Sequence, residues 1–112
     1  AGDLGAIYGR LDGAGTDLVL TGGPANYERL GPLRPNGVPA DVGIVTINVG
    51  TGGVPATPFT DPRPGSQFGS DEFDGALLLE LAADGYRFEF MATPESVARV
   101  GSSPDDAGSG TC

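Results

Sequence analysis

Asp17-Leu18-Val19-Leu20-Thr21-Gly22-Gly23-Pro24-Ala25-Asn26-Tyr27-Glu28-Arg29-Leu30-Gly31-Pro32 is the stretch on which the fold turns. It opens with a short apolar run flanked by turn-forming residues, the pattern of a buried strand. Gly22-Gly23-Pro24-Ala25-Asn26 then breaks that pattern. Upstream, Leu4, Ile7, Tyr8 and Leu11 fall at i, i+3, i+4 and i+7, one face of a helix running from Asp3 to Asp12. Asp3 suits its cap, and Gly13-Ala14-Gly15 supplies the permissive backbone that ends it. A helix, a short link and a buried strand together form an α/β signature.

Downstream, Gly31 to Asp41 is punctuated by Pro and Gly and reads as an ordered loop with an Asn36-Gly37 turn. Ile44, Val45, Ile47 and Val49 mark a second strong strand, Gly43 to Val49. Residues 50–75 read as one long Gly/Pro-rich loop, an unusual length for a compact domain and one often tied to function. Ala76 to Ala82 and Tyr86 to Ala92 read as a hairpin across Ala83-Asp84-Gly85. In its second strand Tyr86, Phe88 and Phe90 alternate with Arg87, Glu89 and Met91, so one face is aromatic and buried. Val97 and Val100 suggest a short edge strand. The tail from Gly101 to Cys112 has little to bury and reads as mobile. The expectation is a single domain over 1–112, α/β (α+β), mainly strands with one N-terminal helix and long Gly/Pro loops.

Composition narrows the chemistry. The chain has 112 residues with 20 Gly, 10 Pro, one Cys and no His or Trp, and its formal net charge is -9. Without His there is no Ser-His-Asp or Cys-His nucleophile and no imidazole ligand. One Cys builds neither a zinc cluster nor an internal disulfide. The negative charge argues against nucleic acid or an anionic membrane as partner. No apolar run is long enough to span a bilayer.

Gly22 and Asn26-Tyr27-Glu28-Arg29, followed by Gly43-Ile44, Asn48-Val49-Gly50-Thr51-Gly52-Gly53, Pro64-Gly65-Ser66, Gly75 to Leu81, Gly85 to Phe90 and Asp106 to Cys112, stand in an order that resembles the C-terminal portion of secreted calcineurin-like metallophosphoesterases of the purple acid phosphatase type. The family's strand ends in Gly-His-x-His ahead of Asn-Tyr-Glu-Arg, and both His are metal ligands. Here Gly23 and Ala25 occupy those positions, with Pro24 between them. Neither offers a ligand atom. The family's other ligand motifs, an Asp-x-His, a Gly-Asp with a further Asp and an Asn-His-Glu, are not in this chain. Two-metal hydrolysis needs both ions. The resemblance therefore implies a partial metallophosphoesterase-like sandwich, extracellular and secreted, with no cofactor, no metal and no catalytic residue of its own. Gly22, Gly23, Pro24, Ala25, Asn26, Tyr27, Glu28 and Arg29 form the former-site loop.

Other motifs have plainer readings. Gly50-Thr51-Gly52-Gly53 could cradle an anion, but lacks the Gly-Lys-Ser/Thr of a P-loop and reads better as a turn with close packing. Asp71, Glu72 and Asp74 could offer oxygens to calcium, yet lack the spacing of a calcium loop. Asp105-Asp106 likewise reads as a solvated acidic pair. Tyr27, Glu28 and Arg29 suit either a polar wall beside a substrate pocket or, preferably, an anchor in which charges fix the loop and Tyr27 packs. Cys112 is a candidate for an intermolecular disulfide, balanced by the plain reading of a free thiol.

The leading expectation is a non-catalytic, pseudoenzyme-like structural or binding protein, self-assembling or bound to a protein partner through exposed strand edges. The alternative is the C-terminal chain or fragment of a phosphatase whose metal ligands come from an N-terminal part. A secreted ligand carrier or inhibitor is a third reading, for which no residue pattern argues.

Overall fold

A computed structural model describes residues 2–112, with side chains from Ala6 onward. The helix read from the apolar face of the first segment is α1 (Gly2–Gly13). Asp3, expected to cap this helix, lies inside α1 as its second residue, and its side chain and that of Leu4 lie outside the described residues. Seven strands follow: β1 (Leu18–Thr21), β2 (Tyr27–Leu33), β3 (Ile44–Val49), β4 (Ser66–Ser70), β5 (Gly75–Ala82), β6 (Gly85–Ala92) and β7 (Ala107–Thr111). A second helix, α2 (Pro94–Val100), sits between β6 and β7. The architecture is α+β, with the seven strands in two sheets, one ordered β1-β3-β2-β4 and the other β5-β6-β7.

In the four-stranded sheet β1 runs parallel to β3, with Leu18 opposite Val45 and Thr21 opposite Asn48. β2 runs antiparallel to β3 and to β4. The two-residue side-chain period then sorts this sheet into two faces. Tyr27, Arg29, Ile47 and Val49 share the face turned to the second sheet; Glu28, Leu30, Thr46 and Asn48 share the other, where the Tyr8 hydroxyl of α1 meets Thr46 Oγ1 at 2.9 Å. From the second sheet β6 contributes Tyr86, Phe88 and Phe90, which are buried with Tyr27, Ile47 and Phe73 in one core shared by both sheets. Tyr27 and Phe90 lie with ring centroids 4.3 Å apart. Each large apolar side chain removed from water here contributes about 2 kcal/mol.

Several expectations need correcting. The apolar run of β1 suggested a buried strand, but β1 is the sheet edge and Leu20 is 49% exposed. The 31–41 loop begins later than expected because β2 continues through Leu33. The 50–75 excursion contains β4, whose Ser-Gln-Phe-Gly-Ser sequence has no apolar alternation and becomes a strand only by pairing with β2. Val97 and Val100 belong to a helix, not an edge strand. Thr93 caps α2 by accepting from Ser96 N–H, Pro94 occupies its first turn, and Gly101 at φ 91° ends it.

The tail expected to be mobile forms β7, paired along β6 from Gly85–Thr111 to Glu89–Ala107. Its small residues are what the packing needs. A Cβ on Gly108 would come within 2.9 Å of the Phe88 ring, and one on Gly110 within 2.5 Å of Tyr86. Glycine here lets a strand lie flat against aromatic rings.

Candidate functional site

β1 and β3 are parallel, so their C-terminal ends, Thr21 and Val49, open at the same edge of the sheet. In open sheets with parallel strands, ligand sites gather at that edge. The loops leaving those ends are 22–26 and 50–57, and the former-site loop read from sequence is therefore where a site would stand.

Its backbone is held from below by Asn48, which is fully buried at the end of β3. Asn48 Nδ2 donates to the carbonyls of Pro24 (2.9 Å) and Asn26 (3.0 Å), while its Oδ1 accepts from Thr21 Oγ1 at 2.8 Å. Thr57 clamps the loop from the other side: its N–H donates to Ala25 O at 3.0 Å and its carbonyl accepts from Asn26 Nδ2 at 3.2 Å. Gly50 N–H donates to Asn26 O at 2.9 Å. A Cβ on Gly50 would lie 2.1 Å from Pro24 O, so this glycine is required for the two loops to touch.

Gly22, Gly23 and Pro24 are exposed, and a Cβ at Gly22 or Gly23 would meet nothing within 4 Å. Position 23 therefore has room for a side chain and carries none. The donor set expected of a dinuclear metal centre does not fit these residues, because Gly23 and Ala25 have no ligand atom and the Pro24 carbonyl is already taken by Asn48.

Tyr27, Glu28 and Arg29 do not form a single polar wall, because strand alternation sends them to opposite faces of β2. Glu28 is buried on the outer face, where Oε1 accepts from Arg63 Nε at 2.6 Å and Oε2 from Arg63 N–H at 3.2 Å. Tyr27 and Arg29 turn to the core and converge on Asp106. Tyr27 Oη donates to Asp106 Oδ2 at 2.6 Å, and Arg29 Nε and Nη2 donate to Oδ2 and Oδ1 at 2.9 and 2.8 Å. The guanidinium also lies 5.3 Å from the Phe88 centroid and donates through Nη1 to Gln67 Oε1. Burial, then the Asp106 carboxylate, pushes the Tyr27 phenol far above its ordinary value. Asp106 is 5% exposed, which corrects its reading as a solvated acid.

The remaining candidates have structural tasks. In 50–53, Gly53 adopts φ 112° and Thr51 Oγ1 donates to Gly75 O at 2.8 Å, as a packed turn requires. Asp71 Oδ2 accepts from Phe59 N–H at 2.8 Å, tying the 50–65 loop to β4. Among the described residues no group of three His, Cys, Asp or Glu side chains is placed to hold a metal ion. Cys112 is exposed and unpaired; desolvation, then the Asp17 and Asp84 carboxylates, push its thiol up.

Two structural residues escaped the sequence reading, Asn48 and Asp106. Asn48 carried a legible signal, a lone amide next to the end of a strand otherwise built of Ile, Val and Thr. Asp106 carried none. No family model, curated protein or solved structure matches this chain, so none of them bears on a metallophosphoesterase origin. No helix among the described residues is long and apolar enough to cross a membrane.

Proposed function

We propose that this chain is a non-catalytic binding protein on a metallophosphoesterase-like framework. The observation that carries the proposal is the loop at the C-terminal ends of β1 and β3. It leaves the matching ends of two parallel strands, and Gly23 and Ala25 stand where the resemblance places metal ligands. Binding falls instead to the open edge of β1, where Leu20 is 49% exposed, and to α1, where Ile7 is 50% exposed. An unpaired strand edge beside apolar side chains suits addition of a strand from another protein chain.

The purified chain is expected to contain no stoichiometric transition metal by elemental analysis and to turn over no aryl phosphate. Bound metal with saturable turnover would overturn the reading. Association through β1 is tested by sedimentation over a range of concentrations and by capture with a defined extended peptide, each compared with Leu20→Lys. An unchanged profile in the variant removes β1 as the surface.

The second reading, a phosphatase fragment whose ligands lie elsewhere, draws on the same open edge, where further strands of a larger sheet would pair. Gly23→His with Ala25→His, made in a chain extended by its own upstream sequence, separates the two. Metal uptake by that double variant favours the fragment.

A further inference from the structure

The outer face of the four-stranded sheet holds a cavity of about 390 Å3 between α1, β2, β3 and the 34–37 turn. It lies on the face of β2 opposite the Asp106 cluster, away from Gly23 and Ala25. Leu30 and Leu33 line it with apolar surface, while Arg34, Asn36, Arg63 and Tyr8 present polar groups. The volume falls within the range of small-molecule pockets, which combine apolar walls with a few placed polar groups.

Charge sets the ligand class. Arg63 commits Nε and its backbone N–H to Glu28, which balances its charge. Arg34 enters no ion pair among the described residues and brings an uncompensated guanidinium to the rim. Asn36 Oδ1 is occupied by the Val38 N–H at 3.1 Å, so the Asn36 Nδ2 amide remains the group with hydrogens to offer a ligand. A chain of net charge -9 thus places two of its six Arg beside one cavity. Donors dominate this rim, and a guanidinium fork matches the paired oxygens of a carboxylate or phosphate.

We propose that this cavity binds a small organic anion, its carboxylate or phosphate head on Arg34 and its aromatic or branched apolar body against Leu30 and Leu33. The site does not depend on the phosphoesterase-like reading and would stand if that reading fell.

The test is titration of the full chain with 2-naphthoate, 2-naphthyl phosphate and neutral 2-naphthylmethanol, followed by calorimetry and amide NMR. At least one anion is expected to bind saturably, shifting amide signals of residues 33–37 and of Tyr8, and to bind more tightly than the alcohol. Which anion wins names the head group. Arg34→Gln should weaken anion binding about tenfold while leaving the alcohol unchanged. Arg99→Gln, the same charge change on α2, should leave both unchanged. The proposal fails if neither anion saturates at millimolar concentration, if the shifts map elsewhere, if the alcohol binds as well as the anions, or if Arg34→Gln has no effect. The NMR map of the unaltered chain decides the matter even if the Arg34 variant folds poorly.

Discussion

Arg29 and Asp106, 77 positions apart in the chain, meet as a two-point ion pair between the two sheets, Nη2 to Oδ1 at 2.8 Å and Nε to Oδ2 at 2.9 Å. The pair joins β2 to the segment entering β7, and Tyr27 completes it through its hydroxyl. Because the backbone carbonyl of Asp106 also accepts from Phe90 N–H at 2.8 Å, one residue locks the last strand to the core twice.

Removing one member of a buried pair leaves the other charge unmatched. Asp106→Ala should destabilise the fold by about 3 kcal/mol, measured by urea unfolding. Adding Arg29→Ala should cost much less than the sum of the single changes, since no orphaned charge remains. Additive losses would mean that the two residues act separately.

The alkaline limit of stability follows from Tyr27 and, in the same direction, from Tyr86, whose phenol burial also raises. The folded pKa of Tyr27 lies above the ordinary value near 10, so the folded state holds a proton that the unfolded chain releases. That contribution is complete below about pH 10 and is lost as pH rises beyond it. Urea midpoints should fall above pH 10, and Tyr27→Phe should flatten that fall. Tyrosinate absorbance should appear for Tyr27 only with unfolding.

Asn48→Ala is expected to cost about 2 kcal/mol, because the buried amide's bonds to the Pro24 and Asn26 carbonyls and from the Thr21 hydroxyl are lost together. Amide exchange in residues 22–26 should rise more than in the β5–β6 hairpin. Uniform change across both would place the role of Asn48 outside the loop.

Two nearby glycines should behave differently. Gly50→Ala drives a methyl into the Pro24 carbonyl and should destabilise by about 2 kcal/mol or more. Gly52→Ala meets open space and should change thermal unfolding little. Equal responses would contradict the close approach of the two loops.

A chain ending at Pro104 lacks Asp106 and β7. It should lose cooperative urea unfolding, because Phe88 and Tyr86 would be uncovered along one edge of β6. Retained cooperativity would show that residues 105–112 are dispensable.

The elements legible in the sequence were those with a local period. α1 follows from apolar residues at helical spacing, β3 from its run of Ile and Val, and the hairpin from strict alternation of Tyr86, Phe88 and Phe90 with charged or exposed neighbours. β4 and β7 were missed because Gly, Ser and Gln carry no such period; pairing partners, not their own side chains, make them strands. α2 was missed although Thr93, Pro94 and Gly101 marked both its ends. At the candidate site, the lack of ligand atoms at Gly23 and Ala25 was readable from residue type. The division of Tyr27, Glu28 and Arg29 between two faces was not, since it required knowing that residue 27 begins a strand.

By itself, the sequence determined what chemistry positions 22–29 can offer and where short-range periodicity makes helix or strand, because both depend on side-chain identity and near neighbours. Tertiary structure decided which polar groups are buried and what satisfies them. Asp106 reads as one acid among 15 until β7 folds against β6 and brings it to Arg29 and Tyr27. A carboxylate carries no mark of its partner along the chain. Desolvation between two sheets selects that partner, and desolvation exists only once the sheets have packed.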